Sequence, residues 1–229
     1  MPPSEARRRG AFKGVEELAW RLDGRAADPE APMLLCLHGH GMNEDYFAAL
    51  LQSLFDLPWN IVTARAPFAA TEVKGRAYSW YEYDGNQERF RAELRRTDDL
   101  VQEFLVGVET ELGVRPAKRF LLGFSQGGYC GSYVALKNPR LFDGMVISGA
   151  RVKGEILQAP IVSAAATGFA ALLCHGEKDK SVTRQAAESS LAALQGGGID
   201  AQLQFFDSGH SVGRSQVAFI RQWLAERQH

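Results

Sequence analysis

The chain has 229 residues, 45% of them hydrophobic and 23% charged, which excludes disordered, collagen-like and coiled-coil readings and suits one globular domain. Its 26 basic and 27 acidic residues leave a net charge of -1, so charge points to neither nucleic acid nor an anionic membrane surface.

Met1 to Gly10 carries Arg7, Arg8 and Arg9 with no apolar run behind them. It therefore reads as a flexible tail rather than a secretory signal, with the domain expected over residues 11–229. Val15 to Asp23 is expected to add one or two antiparallel edge strands. Short apolar runs follow at Met33–Leu37, Asn60–Ala64, Arg119–Gly123, Gly144–Ser148, Ala170–Cys174 and Ala201–Phe206, each of a length natural for a buried strand. Between them, Gln87 to Leu112 places Phe90, Leu94, Val101, Phe104, Leu105 and Val108 on one side of a helix that Gly113 ends. Val182 to Leu194 predicts a second helix, stopped at Gly196, Gly197 and Gly198. A terminal helix turns Val217, Ile220 and Leu224 inward. Strands alternating with helices imply right-handed βαβ units, hence a single-domain α/β fold with a mostly parallel central sheet and helices on both faces. Only a short connection is expected between Ala150 and Gly168, with no separate cap domain and a shallow, open cleft.

Cys36, Cys130 and Cys174 are far apart and odd in number, which suits free thiols in a reducing compartment. Ile161 to Cys174, the most apolar stretch, falls short of the roughly 20 residues of a membrane helix. No transmembrane segment is expected, and the chain reads as soluble and cytoplasmic, a monomer or a homodimer.

In a parallel sheet, reactive groups collect in the loops beyond the carboxyl ends of the strands. After Arg119–Leu122 comes Gly123-Phe124-Ser125-Gln126-Gly127, then Gly128 and a helical stretch to Lys137. Twenty-three glycines make the bare pattern unspecific, but strand, sharp turn and helix together mark a nucleophile whose hydroxyl is exposed on a strained backbone. Such a serine needs a histidine base held by a carboxylate. Asp179, in the loop after Ala170–Cys174, and His210, in the loop after Ala201–Phe206, occur in the required order. Asp207 and Glu177 are the rival acids, read as a turn residue and a solvated side chain. An oxyanion hole requires two converging N–H groups. Gln126 supplies one from the main chain, and His40, in the tight loop His38-Gly39-His40-Gly41, supplies the other.

His38 and His40 also admit a second reading, a metal-dependent hydrolase, although Met42 and Asn43 follow where further ligands would be wanted. A third reading is a catalytically silent α/β-hydrolase that binds a ligand. Phe68, Tyr78, Trp80, Tyr81 and Tyr83 either wall an apolar substrate groove or pin a loop to the body.

These residues resemble a known family, the phospholipase/carboxylesterase group of α/β-hydrolases that includes acyl-protein thioesterases. The resemblance runs from about Pro32 to Leu224. It rests on Leu37-His38-Gly39-His40-Gly41, Arg65-Ala66-Pro67, Ser79-Trp80-Tyr81, Gly123-Phe124-Ser125-Gln126-Gly127-Gly128, Ser148-Gly149, His175-Gly176-Glu177-Lys178-Asp179 and Gly209-His210. It implies a serine esterase needing no cofactor and no metal, acting on a small or acyl ester. Ser125, Asp179 and His210 would form its triad and His40 and Gln126 its oxyanion donors, with Met42, Trp80 and Tyr81 expected at the substrate. The family's proline shortly after the aspartate loop is replaced here by Ser181-Val182-Thr183, and the oxyanion loop carries a bulky His40 with Met42 after it.

Overall fold

The computed structural model describes residues 8–13, 17–24 and 29–227. Its eight-stranded sheet runs in the order β1 (Arg8–Lys13), β2 (Glu17–Gly24), β4 (Asn60–Ala64), β3 (Met33–Leu37), β7 (Arg119–Phe124), β8 (Gly144–Ser148), β9 (Ala170–Gly176) and β10 (Asp200–Phe206). From β4 to β10 every pairing is parallel. The first two strands are antiparallel, with Arg8 opposite Leu22 and Trp20 opposite Ala64.

The amino-terminal tail needs correcting on this point. Residues 1–7 lie outside the described residues, but Arg8, Arg9 and Gly10 belong to β1, paired along β2. A strand whose fit is decided by its neighbour's backbone leaves little periodicity of its own.

Helices cover both faces because the strands are apolar on both. In β3, Leu35 and Leu37 join one core, whereas Leu34 and Cys36 join the other. The first core is filled by α2 (Gln87–Leu112), α3 (Gln126–Lys137), α4 (Gly154–Ala165) and α5 (Arg184–Gly196), through residues such as Phe104, Val134, Leu157 and Leu194. The second is filled by α1 (Glu44–Leu50) and α6 (Arg214–Ala225), through Phe47, Ile220 and Trp223. Asn86 begins α2, its side-chain oxygen accepting the N–H groups of Glu88 and Arg89, a cap worth about 1 kcal/mol.

The short connection expected after Ala150 is instead the helix α4. Alanines and the internal Pro160 obscure its period, but Leu157, Ile161 and Ala164 are buried at helical spacing. A two-stranded hairpin, β5 (Phe68–Ala69) with β6 (Tyr78–Ser79), stands outside the main sheet, and Met42 bridges to Tyr78. No helix among the described residues is long and apolar enough to cross a membrane.

Candidate active site

The loops leaving β3, β7, β9 and β10 share one end of the sheet and converge there. Ser125 follows β7 directly and opens α3 with φ 51 and ψ -118, the only positive φ among the described non-glycine residues. Such a backbone costs of order 1–3 kcal/mol and is held by its surroundings. Ser125 N–H donates to Ser148 O at 2.9 Å, and Tyr129 N–H donates to Ser125 O at 2.9 Å. Close packing of strand, turn and helix requires glycine beside it. A Cβ at Gly123 would strike Gly127 and Gly128, and one at Gly127 would strike the carbonyls of Leu37 and His38.

His210 Nε2 accepts from Ser125 Oγ at 2.8 Å, and His210 Nδ1 donates to Asp179 Oδ2 at 2.7 Å. The other carboxylate oxygen of Asp179 accepts the N–H groups of Ser181 at 2.8 Å and Val182 at 2.9 Å. Burial of Asp179 pushes its pKa up, but the hydrogen bonds from Val182, His210 and Ser181 outweigh that and hold it below the ordinary carboxylate range. Ser181 and Val182 thus supply the two N–H donors in the segment that departs from the family's proline pattern. Of the rival acids, Asp207 is exposed and paired with Lys178, and Glu177 is exposed near Arg184.

The loop after β3 passes against the serine, for a Cβ at Gly39 would lie 3.3 Å from Ser125 Cβ. Neither His40 nor Gln126 has an acceptor for its backbone N–H among the described residues. The His40 ring pairs with Glu72 at the rim of the cleft onto which Ser125 opens, with Nε2 2.6 Å from Oε1. His38 is fully buried, and both of its ring nitrogens are occupied. Nε2 accepts from Ala66 N–H at 3.0 Å and Nδ1 donates to Gly39 O at 2.8 Å. No lone pair is left on that ring for a metal, so the geometry does not support the reading that made His38 and His40 ligands. Among the described residues no three His, Cys, Asp or Glu side chains gather as a metal set.

Ser125, Gln126 and His210 open onto a cleft of about 830 Å³. Tyr81 lines it as expected of a substrate residue, but Trp80 and Met42 do not. Trp80 is 1% exposed and its indole N–H donates to His38 O at 2.9 Å, so it is a buried pillar beneath the loop. Met42 packs against the second core behind its bridge to Tyr78. Of the aromatic segment, Trp80 is the anchor, and Phe68, Tyr81 and Tyr83 line the cleft.

Sequence reasoning missed Tyr129, Arg151 and Lys153 in the same cleft. Only Tyr129 left a signal, four residues after Ser125 and so one turn along the same helix face. It also missed the side chain of Gln126, whose amide bonds Trp80 N–H, Ser79 Oγ and Tyr81 O.

The family model described as Phospholipase/Carboxylesterase matches residues 25–227. A probable carboxylesterase of Oryza sativa subsp. japonica is 26% identical over 217 residues, covering 89% of this chain and 92% of its own. Among solved structures, esterase PE8 superposes with a TM-score of 0.74 at 24% identity, covering 90% of this chain and 98% of its own. A carboxylesterase from Mesorhizobium loti superposes with a TM-score of 0.75 at 21% identity, covering 91% and 94%. At those identities the superpositions establish the α/β-hydrolase fold alone. With the family model covering most of its length, the chain belongs to the Phospholipase/Carboxylesterase family, a family of carboxylic ester hydrolases.

Proposed function

We propose that the chain hydrolyses carboxylic esters through an acyl-enzyme formed on Ser125. The observation that carries this reading is the unbroken series from Ser125 Oγ to His210 at 2.8 Å and from His210 to Asp179 at 2.7 Å. Ser125 Oγ attacks the ester carbonyl carbon while His210 Nε2 takes the hydroxyl proton. The carbonyl oxygen becomes an oxyanion facing the backbone N–H groups of His40 and Gln126. The bond to the alcohol oxygen then breaks, and His210 returns the proton to that oxygen. Water repeats the sequence on the acyl-enzyme, releasing the acid and restoring the serine. Asp179, ionised at working pH, fixes the imidazole tautomer and stabilises the imidazolium. Thioesters and lysophospholipids would pass through the same intermediate, and a panel including one of each would rank them against oxygen esters.

Ser125→Ala should abolish turnover of p-nitrophenyl butyrate, and Asp179→Asn should lower kcat roughly 10⁴-fold by presenting the wrong tautomer. Full activity in the Ser125→Ala protein would overturn the reading.

A further inference from the structure

Outside the catalytic series, the cleft carries one group of cations whose charge its surroundings leave unbalanced. Arg151 and Lys153 enter it from the segment after β8, beside Tyr129 of α3. Arg151 is partly neutralised by Glu155, with Nη2 2.9 Å from Oε1, and its Nε donates to Tyr129 Oη at 2.5 Å. The Tyr129 oxygen is therefore an acceptor already in use, and its hydroxyl hydrogen has no acceptor among the described residues. Lys153 forms no ion pair with any described residue. Its ammonium donates to Gln87 Oε1 at 3.1 Å and lies 4.7 Å from the Phe90 ring centroid. Burial, then the neighbouring Arg151 charge, outweighs the attraction of Glu155 and holds the Lys153 pKa below its ordinary value. An anion arriving there would offset the repulsion between the two cations.

The acids of the cleft do not cancel this charge. Glu72 is engaged by His40 and Asp84 by Arg89, and Glu155, which attracts Lys153, is already paired with Arg151. A substrate therefore meets a cationic region around Lys153 and acids along the segment 72–84, a field that orients an anion toward Lys153.

We infer that Lys153, with Arg151 and the Tyr129 hydroxyl, forms a specificity site for an anionic oxygen group on the ester substrate, a carboxylate or phosphate on its acyl or alcohol part. The inference rests on the esterase reading of Ser125. Tyr129 follows the serine by one helical turn, about 6 Å of rise, so the chain joining the anion to the ester is short.

The test is a ratio, which cancels the intrinsic reactivity of each ester. In the acyl arm, kcat/KM for mono-p-nitrophenyl glutarate is divided by that for p-nitrophenyl pentanoate. In the alcohol arm, 3-acetoxybenzoate is divided by phenyl acetate. Going from the wild type to Lys153→Gln, the ratio should fall about tenfold in one arm, as expected for losing a charge-assisted contact. Lys153→Glu should lower it further, Lys153→Arg should restore it, and the arm that responds identifies the part bearing the anion. Ratios that Lys153→Gln and Lys153→Glu leave unmoved in both arms would overturn the inference while the neutral esters still turn over. No turnover of any ester, with no modification of Ser125 by a fluorophosphonate, would instead overturn the esterase reading, and this inference with it.

Discussion

The side-chain oxygen of Gln126 accepts the backbone N–H of Trp80 at 2.9 Å, which ties the residue after Ser125 to a segment 46 positions earlier in the chain. Its amide nitrogen donates to Tyr81 O at 2.8 Å, so one side chain spans both sides of Trp80. Under the proposed mechanism Gln126 would offer its main chain to the oxyanion, while its side chain braces the turn against the segment around Trp80.

Gln126→Ala keeps the backbone donor and removes the brace. Leaving Trp80 N–H without its acceptor, while Tyr81 O keeps the Ser79 hydroxyl, should cost about 1–3 kcal/mol of stability, and a displaced turn should lower kcat by about 10-fold or more. Denaturant titration and ester kinetics on the same protein check both. A stable variant with wild-type kcat would show that the brace is dispensable to the site.

Trp80→Phe separates a pillar from a substrate contact. Loss of the indole donor leaves His38 O buried and unpaired, a penalty of about 1–3 kcal/mol, while the preference among esters of increasing acyl length should stay as it is. A changed chain-length profile without a stability loss would return Trp80 to the substrate groove.

His38 predicts a pH dependence of stability. Burial, only partly offset by the hydrogen bond to Gly39, lowers its pKa from 6.5 to about 4. The unfolded chain therefore binds a proton on this ring between pH 6.5 and 4 that the folded chain does not. Stability is full above pH 6.5, falls as pH drops to about 4, and loses nothing further from this group below that. The shift corresponds to about 3 kcal/mol across the window. Asp179 acts in a different range, because its depressed pKa delays its loss until pH falls below the ordinary carboxylate range. Unfolding midpoints at pH 7, 5 and 4 should show the fall, and His38→Gln should flatten it. An NMR titration in which the His38 ring charges near pH 6.5 in the folded protein would contradict the assignment.

Much of this was legible in the sequence because local and global preferences agree there. Met33–Leu37 and Gly144–Ser148 are apolar on both faces and could hardly be anything but central strands, and both occupy the residues expected. Gln87–Leu112 carries its own period, cap and glycine stop. The order of Ser125, Asp179 and His210 pointed to residues that the fold brings into hydrogen-bond contact. What stayed hidden depends on partners distant in the chain. Arg8–Lys13 is a strand because β2 lies beside it, and Pro160 disguised α4. Trp80 and Tyr81 are adjacent aromatics with opposite fates, one under the loop and one facing the cleft, a choice made by His38 O rather than by composition. Arg151 and Lys153 carry no signal of their own in the sequence, and the turn after β8 brings them into the cleft.

The most direct measurement is covalent labelling of the wild-type protein with a fluorophosphonate, followed by peptide mass spectrometry. One adduct should form, on the peptide bearing Ser125. It should be absent from Ser125→Ala and slowed by several hundred-fold or more in His210→Ala, in which no base takes the hydroxyl proton. An adduct on another residue, or steady ester turnover by a protein that takes up no label, would contradict the assignment of Ser125 as the nucleophile.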